Sequence, residues 1–201
     1  MIVMSTVHHL TSPFSEEVIR SLHAGDIVYF DGPLFGIRDL TQIYIFDQGH
    51  EPPVSLEGMP CIHTAPSLKK VGEKKWEKIC VGTTTSTRMD RFTPGLIRKY
   101  GVRAIIGKGG LYQGSLEAMK ECGAVYLAIV GGAAALETQQ IEEIEDVYFE
   151  HLHPEALYRF RVKNFGPLTV AMDSYGRHLY EEVGARVRER LPEIYKKLGV
   201  D

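Results

Sequence analysis

The chain has 201 residues, 44% of them hydrophobic, which is enough for one substantial hydrophobic core. Its formal net charge of -3 excludes the strongly basic surface that favours nucleic acid and the acidic bias of a solvating tail. The N-terminal residues lack a basic segment before an apolar run, and no apolar run reaches membrane-spanning length. We therefore expect residues 1–201 to form a single cytoplasmic domain that contacts neither nucleic acid nor membrane.

The chain contains three cysteines, Cys61, Cys80 and Cys122. Their odd number and wide spacing argue against a disulfide framework and fit a reducing compartment. Three thiolates could hold an iron-sulfur cluster with one open iron, but the sequence has no C-x-x-C pair. We therefore expect buried packing thiols and assign no metal ligand to this chain.

The first thirty residues predict a terminus, a helix and a strand. Residues 1–11 are expected to be a flexible terminus. Ser12-Pro13, followed by acidic residues, predicts a helix start, and Gly25 ends the helical pattern. The apolar run Ile27–Phe30 predicts a strand, which the following Gly-Pro pair is expected to break.

Two segments before residue 78 give weaker patterns. Asp39–Asp47 stays open between strand and helix, because its residues favour a strand while the Arg-Asp pair at its start could open a helix. Residues 48–75 are rich in Pro, Gly, Lys and Glu, which predicts mostly loop, with a short strand at Met59–His63.

From residue 78 onward, strands and helices alternate in the predicted pattern. The elements are strand Lys78–Val81, helix Pro94–Tyr100, strand Val102–Ile106, helix Ser115–Glu121 and strand Ala124–Val130. A short helix then precedes strands Asp146–Glu150, Tyr158–Val162 and Leu168–Met172, and a terminal helix Leu179–Leu198. This alternation predicts parallel strands with crossover helices, and the later strands make the fold class α/β with a mixed sheet.

The segment Gly82–Asp90 carries the strongest functional signal. It follows an apolar strand and places five consecutive hydroxylated residues before Arg88. Hydroxyls and backbone N–H groups at the carboxyl end of a strand can hold an anion, and a guanidinium can bind a carboxylate through two hydrogen bonds. The alternative is a Ser/Thr turn that caps the next helix.

Three further segments could bind an anion. Lys108 lies between glycines, which leave the ammonium group uncrowded, but its surroundings do not match the phosphate-loop pattern G-x-x-x-x-G-K-S/T. The alternative there is a plain loop with an exposed lysine. Arg38-Asp39 could present a guanidinium or form only a surface salt bridge. Gly131–Leu136 could seat an anion at a helix start or merely allow tight packing.

These segments, in this order, resemble the β-subunit or C-terminal domain of class I fumarases and L-tartrate dehydratases. The resemblance runs from Gly25 to Tyr180. Its most specific part is the T-T-x-x-R-M-D core at Thr84–Asp90, which is followed by the G-K-G segment Gly107–Gly109.

The resemblance implies a swivelling β/β/α domain of three layers that closes over a separate α-subunit. That partner would hold a four-iron, four-sulfur (4Fe-4S) cluster, and this chain would bind none. The implied activity is that of a hydro-lyase, the reversible hydration of fumarate to malate, and it would require the α-subunit. The implied assembly is a hetero-oligomer, with a homodimer of the isolated chain as an open alternative.

The resemblance also implies roles for individual residues. Arg38 and Arg88 would clamp the carboxylates of the substrate, and Lys108 would be a further substrate ligand and a catalytic residue. Thr84 would be the catalytic base. A threonine hydroxyl is a weak base unless a neighbouring group lowers its pKa, and the sequence does not identify that neighbour.

The chain departs from the family pattern after Arg38-Asp39. Family members commonly continue with an Ala-His-Lys-Arg type of run, whereas this chain has Leu40–Ile43, without histidine or a basic pair. The substrate therefore stays open between fumarate, L(+)-tartrate and another dicarboxylate. A different class of function is a non-catalytic anion-binding module with the same fold.

Overall fold

The computed structural model describes residues 5–132 and 134–200. The strands found in these residues are β1 Val7–Thr11, β2 Ile27–Ile37, β3 Pro60–His63, β4 Ser67–Gly72, β5 Lys75–Cys80, β6 Ala104–Gly107, β7 Val125–Ala128, β8 Ile141–Tyr148 and β9 Leu157–Met172. The α-helices are α1 Glu16–Arg20, α2 Asp39–Phe46, α3 Thr93–Tyr100, α4 Gln113–Cys122, α5 Ala134–Gln140 and α6 Leu179–Leu198. Two 3₁₀ helices cover Ser86–Phe92 and Glu150–Leu152.

Seven of these strands form one mixed sheet in the order β1-β2-β3-β6-β7-β9-β8. The strands from β1 to β7 in this order pair in parallel, whereas β9 runs antiparallel to its neighbours β2, β7 and β8. Because β9 also pairs with β2, strands β2, β3, β6, β7 and β9 close into a ring. The predicted α/β class with a mixed sheet is confirmed.

Side chains that alternate along the strands supply two hydrophobic cores, one on each face of the sheet. One face carries Val28, Phe30 and Leu34 of β2, together with buried residues of β9. The other face carries Phe35 and Ile37 and packs against α3 and α4. These helices contribute Leu96, Ile97, Leu116 and Met119. Burial of both faces explains why the central strands read as continuous apolar runs.

The structure corrects the prediction for the N-terminal segment. Residues 7–11 are not a flexible terminus, because β1 pairs in parallel with β2 from Val7 opposite Ile27 to Thr11 opposite Asp31. Residues 1–4 of that prediction lie outside the described part of the chain. The order of β1 comes from backbone pairing with a distant strand, which its short V-H-H-L-T sequence does not reveal.

Helix α1 and strand β2 also differ from their predictions. The helix begins at Glu16 with Ser15 as its N-cap, and Ser12 is not the cap. Strand β2 does not end at Gly32-Pro33 but continues to Ile37. Gly32 has a φ of 112°, and the pairing with β9 shifts its register there. The Gly-Pro pair therefore bends the strand without ending it.

The predicted strand before Gly82 exists as β5, but it is not a parallel strand of the main sheet. It pairs antiparallel with β4 in a separate two-stranded sheet. The prediction of mostly loop over residues 48–75 is wrong for Ser67–Gly72, because charged residues on this exposed hairpin hide the strand pattern. The open segment after Arg38 is helix α2, and the predicted terminal helix is confirmed as α6.

Several other bounds shift. Strand β8 begins at Ile141, earlier than expected, and the two strands predicted after it are one continuous strand, β9. No helix within residues 5–132 and 134–200 combines the length and apolar character needed to cross a bilayer.

The threonine-rich segment after β5 is held between the ends of β3 and β6. Thr83 forms a β-bridge with Thr64, and Thr85 forms one with Lys108. The N–H group of Ser86 donates to the carbonyl of Lys108 at 2.8 Å. The segment thus fills the edge of the sheet although the hairpin before it belongs to another sheet.

This close approach requires glycine at position 107. A methyl group there would overlap the Ser86 hydroxyl and lie 3.3 Å from the Tyr126 hydroxyl, and both of these side chains are buried. We expect Gly107→Ala to lower the free energy of unfolding by about 1–3 kcal/mol through this overpacking. Urea unfolding monitored by circular dichroism measures the change.

Gly114→Ala is the matched control, because Gly114 lies in α4 and a methyl group there meets nothing within 4 Å. We expect this variant to be neutral or stabilised by up to about 1 kcal/mol, since alanine favours a helix over glycine. Equal destabilisation of the two variants would contradict the close-packing argument.

Candidate active site

Three parallel strands end at one edge of the sheet and carry candidate site residues. Arg38 follows β2, His63 ends β3 and Lys108 follows β6. The carboxyl ends of parallel strands are the usual position of ligand sites in α/β sheets. Thr84 joins this edge because its N–H group donates to the carbonyl of His63 at 2.7 Å.

Thr84 and Lys108 therefore lie on neighbouring segments at this edge. The sequence predicted that the strand before Thr84 is a parallel strand of the main sheet, which is wrong because β5 lies in the separate hairpin. The bridge between Thr85 and Lys108 brings the two segments together instead. The Thr84 side chain is half-buried at this edge.

The two arginines expected to bind carboxylates meet at Asp39. Arg88 donates to the carboxylate of Asp39 at 2.6 Å, and Arg38 donates to the same oxygen at 3.3 Å. Arg38 also lies 3.4 Å from a carboxylate oxygen of Glu155. Half of the Arg88 side chain is exposed, at 51%. The Arg-Asp pair is thus part of a cluster that joins both predicted clamps.

The Lys108 side chain extends along the backbone of Gly131. A methyl group on Gly131 would lie 3.3 Å from Lys108 Cδ and 4.0 Å from its Nζ. Among the described residues, Lys108 has no carboxylate within ion-pair distance. The glycine segment predicted to seat an anion therefore makes room for the lysine, and the part of that prediction at Ala133 lies outside the described residues.

Glu137 on α5 lies beside this lysine, and no pattern in the sequence predicted a role for it. The residue is 1% exposed, and Thr83 donates a hydrogen bond to Glu137 Oε1 at 3.4 Å. Oε2 has no hydrogen-bond partner among the described residues. Burial raises the pKa of Glu137 to about 7, although Thr83 and the positive charge of Lys108 act in the opposite direction. The only sequence signal was a lone carboxylate after an apolar run.

A buried polar network fixes the segment that carries Thr84. His63 Nδ1 and the Ser86 hydroxyl lie 2.9 Å apart, and the Tyr126 hydroxyl donates to Ser86 Oγ at 3.1 Å. Burial lowers the pKa of His63 to about 4, so the imidazole is neutral at neutral pH. The N–H group of Gly110 donates to the Tyr126 hydroxyl at 3.3 Å. The network therefore connects β3, the 3₁₀ helix and the loop after β6.

Asp90, the last residue of the T-T-x-x-R-M-D core, has a structural contact. Its carboxylate accepts hydrogen bonds from the N–H group of Tyr112 at 2.8 Å and the Ser115 hydroxyl at 2.6 Å. These groups lie at the start of α4, which begins at Gln113. Asp90 thus caps a helix that follows it by more than twenty residues and ties that helix to the site segment.

The cysteines do not all fit the prediction of buried packing thiols. Cys61 is buried, and burial raises its pKa to about 12. Cys122 is half-buried, whereas Cys80 is exposed because the hairpin strand that carries it lies outside the main sheet. In the part of the chain that the structure describes, no three His, Cys, Asp or Glu side chains are grouped as metal ligands.

Glu137 makes stability depend on pH. Because its pKa in the folded chain is raised from 4.5 to about 7, the folded state binds more protons than the unfolded state between these values. Stability is therefore full below about pH 4.5 and falls as the pH rises towards and through 7, by up to roughly 3 kcal/mol from this group. We expect Glu137→Gln to remove this loss in urea unfolding measured across that range.

The matched control is Glu117→Gln, which changes an exposed glutamate on α4. Its stability should follow the same pH dependence as the unmodified chain. If the stability of Glu137→Gln depends on pH in the same way as that of the unmodified chain, the pKa of Glu137 is not raised in the folded chain.

Comparison with known proteins places this sequence in a family. A family model described as "Fumarase C-terminus" matches residues 4–183. A protein of Geobacillus stearothermophilus named "Putative fumarate hydratase class I" is 39% identical over 186 residues, which cover 92% of this chain and 36% of that protein. The "L(+)-tartrate dehydratase subunit beta" of Escherichia coli is 35% identical over 190 residues, 94% of each chain.

A third relative, "Putative L(+)-tartrate dehydratase subunit beta" of Methanocaldococcus jannaschii, is 38% identical over 181 residues, which cover 88% of this chain and 92% of that protein. The chain thus spans about a third of the Geobacillus protein and almost the whole of the two β-subunits. These matches confirm the resemblance predicted from the motifs, and the chain belongs to the fumarase C-terminus family.

Proposed function

We propose that this chain is the β-subunit of a two-subunit hydro-lyase that hydrates fumarate reversibly to malate. One observation carries the proposal: Arg38, Arg88, Lys108 and Thr84 lie at one edge of the sheet in a chain of the fumarase C-terminus family. Three cationic side chains at one edge suit a substrate with two carboxylates.

In the proposed reaction Arg38 and Arg88 bind the substrate carboxylates. Both guanidinium groups now contact Asp39, so a carboxylate of the substrate would take over donors that Asp39 uses in the free chain. A guanidinium can hold a carboxylate through two parallel hydrogen bonds, which fixes orientation as well as charge. Lys108 adds a third positive group beyond the threonine segment.

Thr84 is the proposed base. In the dehydration direction, a proton leaves the carbon next to one carboxylate while the hydroxyl group leaves the adjacent carbon, so that a double bond forms and water is released. A threonine hydroxyl needs a neighbouring group to accept its proton. The hydrogen bond that Thr84 makes in the described residues comes from its backbone N–H and does not involve its hydroxyl. We therefore propose that the partner subunit supplies the group that accepts the proton of the hydroxyl.

The residues of this chain do not fit a 4Fe-4S cluster. Cys61 lies in the core on β3, Cys80 ends the exposed hairpin strand and Cys122 ends α4. Such separated thiolates cannot bind one cluster. We therefore place the cluster of the family in the proposed α-subunit.

We also propose that residues 1–201 act as one cytoplasmic, swivelling β/β/α domain that closes over the α-subunit. The half-exposed Arg88 supports this view, since its edge is open to a covering partner. The three free cysteines support a reducing compartment. In the proposed hetero-oligomer, the α-subunit binds over the edge that carries Arg88, and the substrate is enclosed between the two subunits.

A second candidate is dehydration of L(+)-tartrate. The relatives that this chain matches over more than nine-tenths of their length carry that name. Cationic clamps recognise two carboxylates but do not distinguish the substituents between them. The segment Leu40–Ile43, which departs from the family pattern, lies next to Arg38 and is where we expect the choice of substrate to differ.

Co-expression with a cognate α-subunit tests the proposal. We expect the isolated chain to be colourless and inactive, and the mixture to show hydratase activity on malate and fumarate in an anaerobic assay, with tartrate as the competing substrate. An iron-sulfur absorption band from this chain alone would contradict the placement of the cluster. A cluster-loaded mixture inactive on all three substrates would favour the non-catalytic anion-binding module.

Arg88→Lys tests the carboxylate clamp in the same mixture. Lysine keeps the charge but cannot form two parallel hydrogen bonds, so we expect kcat/KM to fall roughly 10- to 100-fold, the size of one lost charge-assisted bond. Arg91→Lys is the control, since Arg91 lies in the same 3₁₀ helix but pairs with Asp47 at 3.0 Å. An equal kcat/KM for the two variants would show that Arg88 does not bind a carboxylate of the substrate.

A further inference from the structure

Glu137 is a buried carboxylate with an unused oxygen next to the proposed site. Its Oε1 is held by the Thr83 hydroxyl at 3.4 Å, while Oε2 has no partner among the described residues. A buried polar atom without a partner costs free energy and calls for an explanation. Simple packing does not supply one, because glutamine or an apolar residue would fill the same space without a charge.

Lys108 has the complementary position. The Lys108 side chain passes over Gly131, which lies in the segment that leads into α5 and Glu137. The positive charge of Lys108 lowers the pKa of Glu137, against the larger effect of burial. At the same time no carboxylate of the described residues lies within 4.0 Å of Lys108, so the lysine is not locked in an ion pair.

We propose that Glu137 is a positioning residue that acts as an internal counter-ion and competes with the substrate carboxylate for Lys108. When Glu137 carries a proton, the ammonium group of Lys108 is free to bind substrate. When Glu137 is ionised, it draws Lys108 towards the buried side of the site. This inference deepens the proposed function, since the substrate class it invokes is that of the proposed hydro-lyase.

The charged and titratable groups around Glu137 favour such a pair. Lys108 comes from the loop after β6, and Thr83 faces Glu137 from the threonine-rich segment after β5. Lys78 of the hairpin strand that packs on α5 is bound to the carbonyl of Ile141 instead. The remaining neighbours in the adjoining cavity of about 220 Å³ are the uncharged residues Ile129, Val130, Leu136, Gln140, Gly166 and Pro167.

The first arm of the test needs only the isolated chain of 201 residues. Carboxyl ¹³C NMR follows the titration of Glu137, assigned by its loss in Glu137→Gln. We expect Lys108→Met to raise the pKa of Glu137 by roughly 1, because a nearby positive charge is removed. Lys120→Met on α4 is the control and should leave the titration in place. An unchanged Glu137 titration in Lys108→Met would overturn the pairing.

The second arm uses the holoenzyme formed with the α-subunit. We expect KM for the dicarboxylate to rise roughly five-fold between about pH 6 and pH 8 as Glu137 ionises, the effect of one partly screened charge pair. Glu137→Gln should abolish this rise of KM with pH, and Glu117→Gln should retain it. A structural defect would instead lower kcat or activity at every pH.

The two arms of the test distinguish failure of the proposed hydro-lyase function from failure of the counter-ion role of Glu137. If the unmodified holoenzyme is inactive on dicarboxylates, the proposed function fails, and the NMR arm still decides whether Glu137 and Lys108 are paired. If the holoenzyme is active but KM follows the same pH profile in Glu137→Gln, the counter-ion role is wrong and the proposed function stands.

Discussion

The site depends on the strap of residues 83–86 across the ends of β3 and β6. Two backbone hydrogen bonds hold it, from Thr84 to His63 at 2.7 Å and from Ser86 to Lys108 at 2.8 Å. The buried hydroxyl network through Ser86 stabilises the position of the strap, since breaking it would leave buried polar groups unpaired. Because the strap carries the threonine and leads into the arginine, every other feature of the site takes its position from it.

Charge compensation is the second constraint on this edge. Cationic side chains that lie close together without a bound anion repel one another. In the free chain, the negative charges of acidic neighbours offset this repulsion. Asp39 contacts Arg38 and Arg88, and Glu155 adds a second carboxylate beside Arg38. Glu137 differs from these because it is buried, so its charge changes near neutral pH. In the proposed site, the two arginines therefore have a carboxylate partner that a substrate would replace, and Lys108 lies beside a carboxylate that titrates near neutral pH.

In the fold, some residues of each sequence motif face the proposed site, while others hold the surrounding segments in position. Within Thr84–Asp90, the threonine and Arg88 face the site edge, while Asp90 caps α4 through Tyr112 and Ser115. Gly107 has a steric role, since it lets the strap approach β6. This short motif thus combines the proposed ligand-binding groups with the contacts that orient them.

The sequence by itself determined the family, the α/β class and the terminal helix, because local periodicity and motif order lie in neighbouring residues. It also supplied the four residues of the proposed site, Arg38, Thr84, Arg88 and Lys108. Only the tertiary structure decided that β1 is ordered, that β5 belongs to a hairpin and that β9 is one strand closing the ring, since these depend on pairing with distant strands. Glu137 belongs to this second group. Its burial beside Lys108 arises from the packing of α5, which no pattern in its own segment encodes.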